Sequence, residues 1–307
     1  LVGMAGALLA GLLRPGGRAP ALGLLAAMLA VAPLLGGRDF TAGSGRIAVT
    51  LIQTNVAQDE KFATERMPEA LAWLSQALHA ARGTLVVAPE TAVPLLPGQL
   101  ADFAPGWWEA LVARFGDGAQ AALIGLPLGD YDRGYTNSVA GLSAAPAYRY
   151  DKQHLVPFGE FIPRGFRWFT EAMNIPLGDF ARGPLDAPSF AFAGQRIAPN
   201  VCYEDLFGEE LAVRFRDAAR APTILANVSN IGWFGDTIAL PQHLAISRMR
   251  ALELQRPMLR ATNTGVTAVI DHRGQVTHRL DVFRRGVLDA EVEGRHGATP
   301  YAAWAGR

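Results

Sequence analysis

Residues 1 to 13, "LVGMAGALLAGLL", and 19 to 35, "APALGLLAAMLAVAPLL", contain no charged side chain. No other feature restricts the fold so sharply, because runs this apolar must be covered by protein or by lipid. At about 1.5 Å per helical residue the second run approaches the lower limit for crossing a bilayer. The first is shorter, but residue 1 is not methionine, so it reads as the tail of a longer span. Between them "RPGGR" is a tight loop with two positive charges, which the positive-inside rule places in the cytoplasm. A cleaved signal peptide would carry its charges before a single apolar region, which is the opposite order. We therefore read residues 1–36 as membrane-spanning segments, residues 37–45 as a polar, glycine-rich linker, and residues 46–307 as a globular domain outside the cytoplasm.

From residue 46 the pattern is that of a layered α/β domain. "RIAVTLIQTN", "TLVVAPE", "AALIGLPLG", "TNSVAGLS" and "TILANVSN" read as strands. "MPEALAWLSQALHAA" and "PQHLAISRMRALELQ" read as helices, with Leu71, Leu74 and Leu78 on one helical face. "FAFAGQRIAPNVCYE" reads as a hairpin, "DLFGEELAVRFRDAAR" as one helix, and residues 258–280 as two strands around the turn "DHRGQ". Strands alternating with helices, and then pairs of strands, predict a mixed sheet or two sheets between helices.

The formal net charge is zero, which argues against a nucleic-acid partner held by phosphate neutralisation. One cysteine, Cys202, forms no internal disulfide and no multi-cysteine zinc site. The histidines are scattered without metal-ligand spacing, so we expect no metal and no cofactor. Nearly all basic residues are arginine; the lysines are Lys61 and Lys152. Lys61, in a polar loop, reads as a solvated side chain.

Glu90, Lys152 and Cys202 each sit at or just beyond an expected strand end, where layered α/β folds gather functional groups. Together they suit acyl transfer. A thiol is a strong nucleophile but is mostly protonated near neutral pH, a carboxylate can take its proton, and an ammonium can stabilise thiolate and oxyanion. A lone cysteine is equally often a buried hydrophobe, so the triple by itself leaves both readings open.

The surrounding words carry more. "APET", "YDKQHLVPFGE" and "VCYED" resemble, in order and separation, the Glu–Lys–Cys triad of the nitrilase, or carbon–nitrogen hydrolase, superfamily. "KQHLVPFGEFIP" and residues 227–265 are similar to the apolipoprotein N-acyltransferase family of the bacterial inner membrane, as is "LIQTNVAQDEKF". The resemblance covers residues 46 to about 304. It implies an α-β-β-α nitrilase-type sandwich preceded by transmembrane helix segments, in a multi-pass protein whose catalytic domain faces the periplasm. It also implies transfer of a fatty acyl chain from a phospholipid to the N-terminal cysteine amine of a diacylglyceryl-modified apolipoprotein.

In that scheme Cys202 is the nucleophile, Glu90 the base and Lys152 the oxyanion stabiliser. Glu160 orients Lys152 or the thiol. Tyr203 offers a backbone N–H to the oxyanion, and Asn137 lies near the acyl-enzyme. Glu204 either positions substrate or favours a helix N-terminus. Trp233 and Phe234 either line the acyl entrance or pack in a core. Phe62 stands where tryptophan is expected, keeping an aromatic for lipid contact. Asp205, Glu209 and Glu210 read as ordinary helix charges. The family carries further membrane helices before residue 1 and one after the last residue, so the chain reads as truncated at both ends. A membrane-tethered amidase acting on a small amide is the alternative with the same triad.

Overall fold

The computed structural model describes residues 2–13, 16–35, 37–58, 60–162 and 180–307. It divides into two units, Leu1–Phe40 and Thr41–Arg307. In the first, helices α1 (Val2–Leu12) and α2 (Arg18–Leu35) are neighbours, with Gly11 allowing a close approach to Ala21. Leu9, Leu13, Leu22, Leu24 and Leu29 are each more than half exposed. Among the described residues no helix is long and apolar enough to cross a membrane, so the spans expected from hydropathy do not appear as spanning helices. Arg18 opens α2 and Pro33 falls in its last turn. Arg14, Pro15 and Gly36, parts of the segment read as residues 1–36, lie outside the described residues.

The second unit is built on strand periodicity. In β2 (Leu85–Val87), Leu85 and Val87 join one apolar cluster and Val86 another. In β3 (Ala121–Asp130), Ala121 and Leu123 face one way, Ala122 and Ile124 the other. In β8 (Ile224–Ser229), Ile224, Ala226 and Val228 separate from Leu225 in the same manner. Side chains alternate across a strand, so apolar residues at every position mean that both faces are covered.

The shared cluster is the layer between two six-stranded sheets. One runs β12-β1-β2-β3-β4-β5 and the other β11-β10-β9-β8-β7-β6. Here β1 is Thr41–Gln53, β4 Gly134–Leu142, β5 Tyr148–Asp151, β6 Phe190–Phe192 and β7 Gln195–Val201. The remaining strands are β9 (Met258–Thr262), β10 (Ala268–Ile270), β11 (Val276–Arg279) and β12 (Gly286–Gly297).

Helices α3 (Met67–Ala80), α4 (Pro97–Phe103) and α5 (Trp107–Phe115) cover the outer face of the first sheet through Leu71, Leu74, Leu78, Leu111 and Phe115. Helices α6 (Gly208–Val213), α7 (Ala239–Leu254) and α8 (Pro300–Ala305) cover the second through Leu211, Ala251, Leu254 and Ala302. The expected α-β-β-α sandwich is the architecture found.

Three local expectations are corrected. The strand read from residue 46 begins at Thr41, inside the segment read as linker, because Thr41 to Gly43 pair with Gly297 to Arg295 across a bulge before Arg46. The helix read over 205–220 is a 3₁₀ turn, Cys202–Leu206, followed by the short α6, with Phe207 breaking the two. Residues 258–280 hold three strands: β10 and β11 pair around the turn, while β9 lies parallel to β8. Parallel pairing of β1-β2-β3 and of β7-β8-β9 sends their carboxyl ends out together, which is where a ligand crevice forms.

Candidate active site

Glu90 lies just after β2, Lys152 directly after β5, Cys202 directly after β7 and Asn230 directly after β8. The first two come from one sheet and the last two from the other. Gly125 on β3 permits the approach of the Glu90 segment. A Cβ there would stand 2.7 Å from Glu90 Cα and 2.9 Å from Thr91 N. Gly125→Ala is therefore expected to push Glu90 off its position, costing about 1–3 kcal/mol of stability, which urea unfolding reads.

Lys152 is 1 % exposed. Its Nζ donates to Glu160 Oε1 at 2.9 Å and lies 3.5 Å from Glu90 Oε1. Asn137 Nδ2 donates to both carboxylates, at 2.7 Å each. The second oxygen of Glu90 accepts from Asn230 N at 2.7 Å, and that of Glu160 accepts from Val156 N at 2.8 Å. Burial works against the Lys152 charge, but Glu90 and Glu160 overcome it and hold the ammonium above its ordinary range.

Cys202 is partly exposed and has φ of 55°. A non-glycine residue in this left-handed region is strained and persists only where surrounding contacts enforce it. Here they do. The Cys202 carbonyl accepts from Asn227 Nδ2 at 2.8 Å and lies 3.3 Å from His243 Nε2. Burial, reinforced by Glu90, holds the thiol well above its ordinary range, while Lys152 pulls it down. A thiol raised in this way needs a base before it attacks, and Glu90 is the carboxylate whose charge bears on it most.

Behind the cysteine lies a charged network that sequence reading missed. Asp205, read as an ordinary helix charge, is fully buried. It accepts from Ser247 Oγ at 2.5 Å, lies 3.2 Å from His243 Nε2 and is 3.7 Å from Arg260 Nη1. Arg260, also fully buried, donates to His243 Nδ1 at 2.9 Å, Ser247 Oγ at 2.7 Å and Asn227 Oδ1 at 3.1 Å. Arginine only donates, so His243 Nδ1 accepts and the ring proton sits on Nε2, aimed at Asp205 and the Cys202 carbonyl.

Glu204 is buried, and both its oxygens are occupied. It accepts from Tyr150 Oη, Gln153 N, His154 N and Val201 N at 2.6 to 3.1 Å. It ties the Lys152 loop to the strand that carries Cys202. Burial raises its pKa, opposed by Lys152 and these hydrogen bonds. Glu210 pairs with His154 at 2.9 Å. The Tyr203 ring lies beneath Lys152, with Nζ 5.9 Å from its centroid, and its hydroxyl donates to Leu155 O at 3.2 Å.

Trp233 is 73 % exposed, and Phe234 and Phe62 are also exposed, which rules out core packing for all three. Their loops meet at Glu90: Asn230 donates to Gln58 Oε1 at 2.9 Å, and Lys61 Nζ donates to Glu90 O at 3.2 Å. Lys61, expected to be solvated, is 6 % exposed.

A thiol beside a carboxylate, with a buried ammonium held by two acids, can form and release a covalent acyl intermediate. The chain is 60% identical over 272 residues to an apolipoprotein N-acyltransferase of Verminephrobacter eiseniae, an alignment covering 85% of this chain and 50% of that protein. It is 52% identical over 257 residues to another so named from Ralstonia nicotianae, covering 83% and 49%. The chain thus spans about half the length of the curated relatives it matches.

Among solved structures, an amidase from Nesterenkonia sp. aligns with a TM-score of 0.60 at 17% identity, covering 87% of this chain and 95% of that one. A CN-hydrolase superfamily protein from Xanthomonas campestris, with an arsenic adduct in its active site, aligns with a TM-score of 0.58 at 20% identity, covering 80% and 90%. At such identities the likeness concerns the fold. The carbon–nitrogen hydrolase family model matches residues 48–301, and the chain belongs to that family.

Proposed function

We propose that the chain is the catalytic part of a phospholipid-dependent apolipoprotein N-acyltransferase, working through a thioester on Cys202. The observation that carries this reading is the buried Glu90–Lys152–Glu160 group, set opposite a strained cysteine and found in a chain 60% identical to a protein of that name. Glu90 takes the thiol proton and the sulfur attacks the ester carbonyl of a phospholipid. Lys152 and the Tyr203 N–H face the oxyanion. The lysophospholipid oxygen leaves with the proton from Glu90. The α-amine of an acceptor lipoprotein's first cysteine then attacks the thioester, the proton returns through Glu90, and the thiol is restored.

Asn137 and Glu160 keep Lys152 and Glu90 in register, and Glu204 braces the loop that delivers Lys152. The exposed Phe62, Trp233 and Phe234 receive the acyl chain, an apolar cargo that such side chains suit. The exposed leucines of α1 and α2 agree with a membrane setting for residues 1–36, with the catalytic unit on the periplasmic side of the inner membrane.

The test is intact-protein mass spectrometry after exposure to phosphatidylethanolamine vesicles. One acyl adduct is expected on the wild-type chain and none on Cys202→Ala. Acylation of a lipoprotein peptide that continues in Cys202→Ala would sink the proposal. Ammonia release from small amides, with no acyl adduct, would favour an amidase instead.

A further inference from the structure

Lys61 and Lys152 are the two lysines of an arginine-rich chain, and both are buried and touch Glu90. Their settings differ. Lys152 touches two carboxylates. Lys61 Nζ reaches one acceptor, the main-chain oxygen of Glu90, and among the described residues no carboxylate oxygen comes within ion-pair distance. An ammonium has three N–H donors, and burying one costs far more than a single hydrogen bond to a carbonyl returns. A purely structural role for Lys61 is not repaid by the contacts it makes. Its charge does act on Glu90 and Cys202, the two groups that exchange the catalytic proton.

We propose that Lys61 is a positioning residue of the acyl-transfer centre, pinning the Glu90 main chain and supplying the positive charge that follows the negative charge from Glu90 to Cys202. The neighbouring charges are otherwise answered. Glu160 is paired with Lys152 and Asp205 with Arg260, while Glu204 is held by main-chain N–H groups and Tyr150. When the S–H bond breaks and an O–H bond forms on Glu90, the electron pair stays on sulfur. The negative charge moves, but the total does not. A cation whose charge acts on both groups stabilises either state, whereas its loss leaves Lys152 alone to offset the new thiolate. Burial lowers the Lys61 ammonium to about 8, opposed by Glu90 and Cys202, so this support is present below that pH and fades above it.

The inference rests on Cys202 being the nucleophile. Its test uses thiol alkylation, so it stands or falls apart from the identity of the acyl donor. Cys202 is the single cysteine, and iodoacetamide reports its thiolate without ambiguity. In the wild-type chain the logarithm of the alkylation rate is expected to rise with unit slope up to about pH 8 and less steeply above, because Lys61 discharges there. Lys61→Met is expected to react about tenfold more slowly at neutral pH, equivalent to about one unit in the thiol pKa, with unit slope throughout. Lys61→Arg, which keeps the charge, is expected to restore the rate to within about threefold and to hold unit slope past pH 8. A wild-type slope that stays at unity through pH 8 to 9 would overturn the proposal, even if neither variant folds. So would Lys61→Met superposing on wild type, or a folded Lys61→Arg as slow as Lys61→Met.

Discussion

Lys152→Met is expected to slow acylation of Cys202 by about 10³-fold or more and to cost about 3–5 kcal/mol of stability. The rate loss combines two effects. The thiolate loses its nearest counter-charge, and the oxyanion loses a donor worth about 10²–10³-fold. The stability loss has a separate cause. Glu90 and Glu160 share Asn137 Nδ2 and face the same ammonium, and removing that ammonium leaves two buried carboxylates without it. One of them must then take up a proton, so the variant is expected to be least impaired in stability at acid pH. Lys152→Arg is not a rescue, because a planar fork cannot occupy a space shaped for a compact ammonium. Adduct formation followed by mass spectrometry and urea unfolding at two pH values check the pair of effects. A rate within tenfold of wild type would remove Lys152 from the mechanism.

Arg260→Met is expected to destabilise the protein by about 3–5 kcal/mol, although Arg260 lies outside the Glu90–Lys152–Cys202 group. It strips Asp205 of its guanidinium partner in a fully buried position. It also frees His243 Nδ1, which Arg260 fixes as an acceptor. Both side chains that hold the Cys202 carbonyl, Asn227 and His243, then lose the donor that fixes them. Cys202 holds a positive φ only while its surroundings enforce it, so the acylation rate is expected to fall with stability. The double variant Asp205→Asn with Arg260→Met removes both charges and is expected to recover part of the stability but not the rate. An unchanged urea midpoint for Arg260→Met would refute the argument.

The sheets were legible because central strands such as β2 and β3 carry apolar residues on both faces, and a chain that must cover both strand faces has few architectures open to it. The strand-end rule and the three motifs pointed to Glu90, Lys152 and Cys202, which the two sheets bring to one crevice. What escaped is what depends on distant contacts. Asp205 stands among acids at a helix start, where exposed carboxylates are common; His243, Ser247 and Arg260, which bury it, come from α7 and β9. Lys61 sits in a run of polar residues, and its cover comes from the Glu90 loop. β12 alternates polar and apolar residues with charges on its outer face, and its place at the sheet edge beside β1 emerged only from the pairing.

The placement of both lysines has a spectroscopic consequence. In most proteins lysine signals report on a crowded, solvated surface. Here a chain grown on isotope-labelled lysine would show two side-chain resonances, both from the catalytic crevice. One should move as the pH passes through about 8, while the other stays still. Binding of a lipid, closure of a loop or formation of the thioester could then be followed at its own centre, with no probe attached and no residue exchanged.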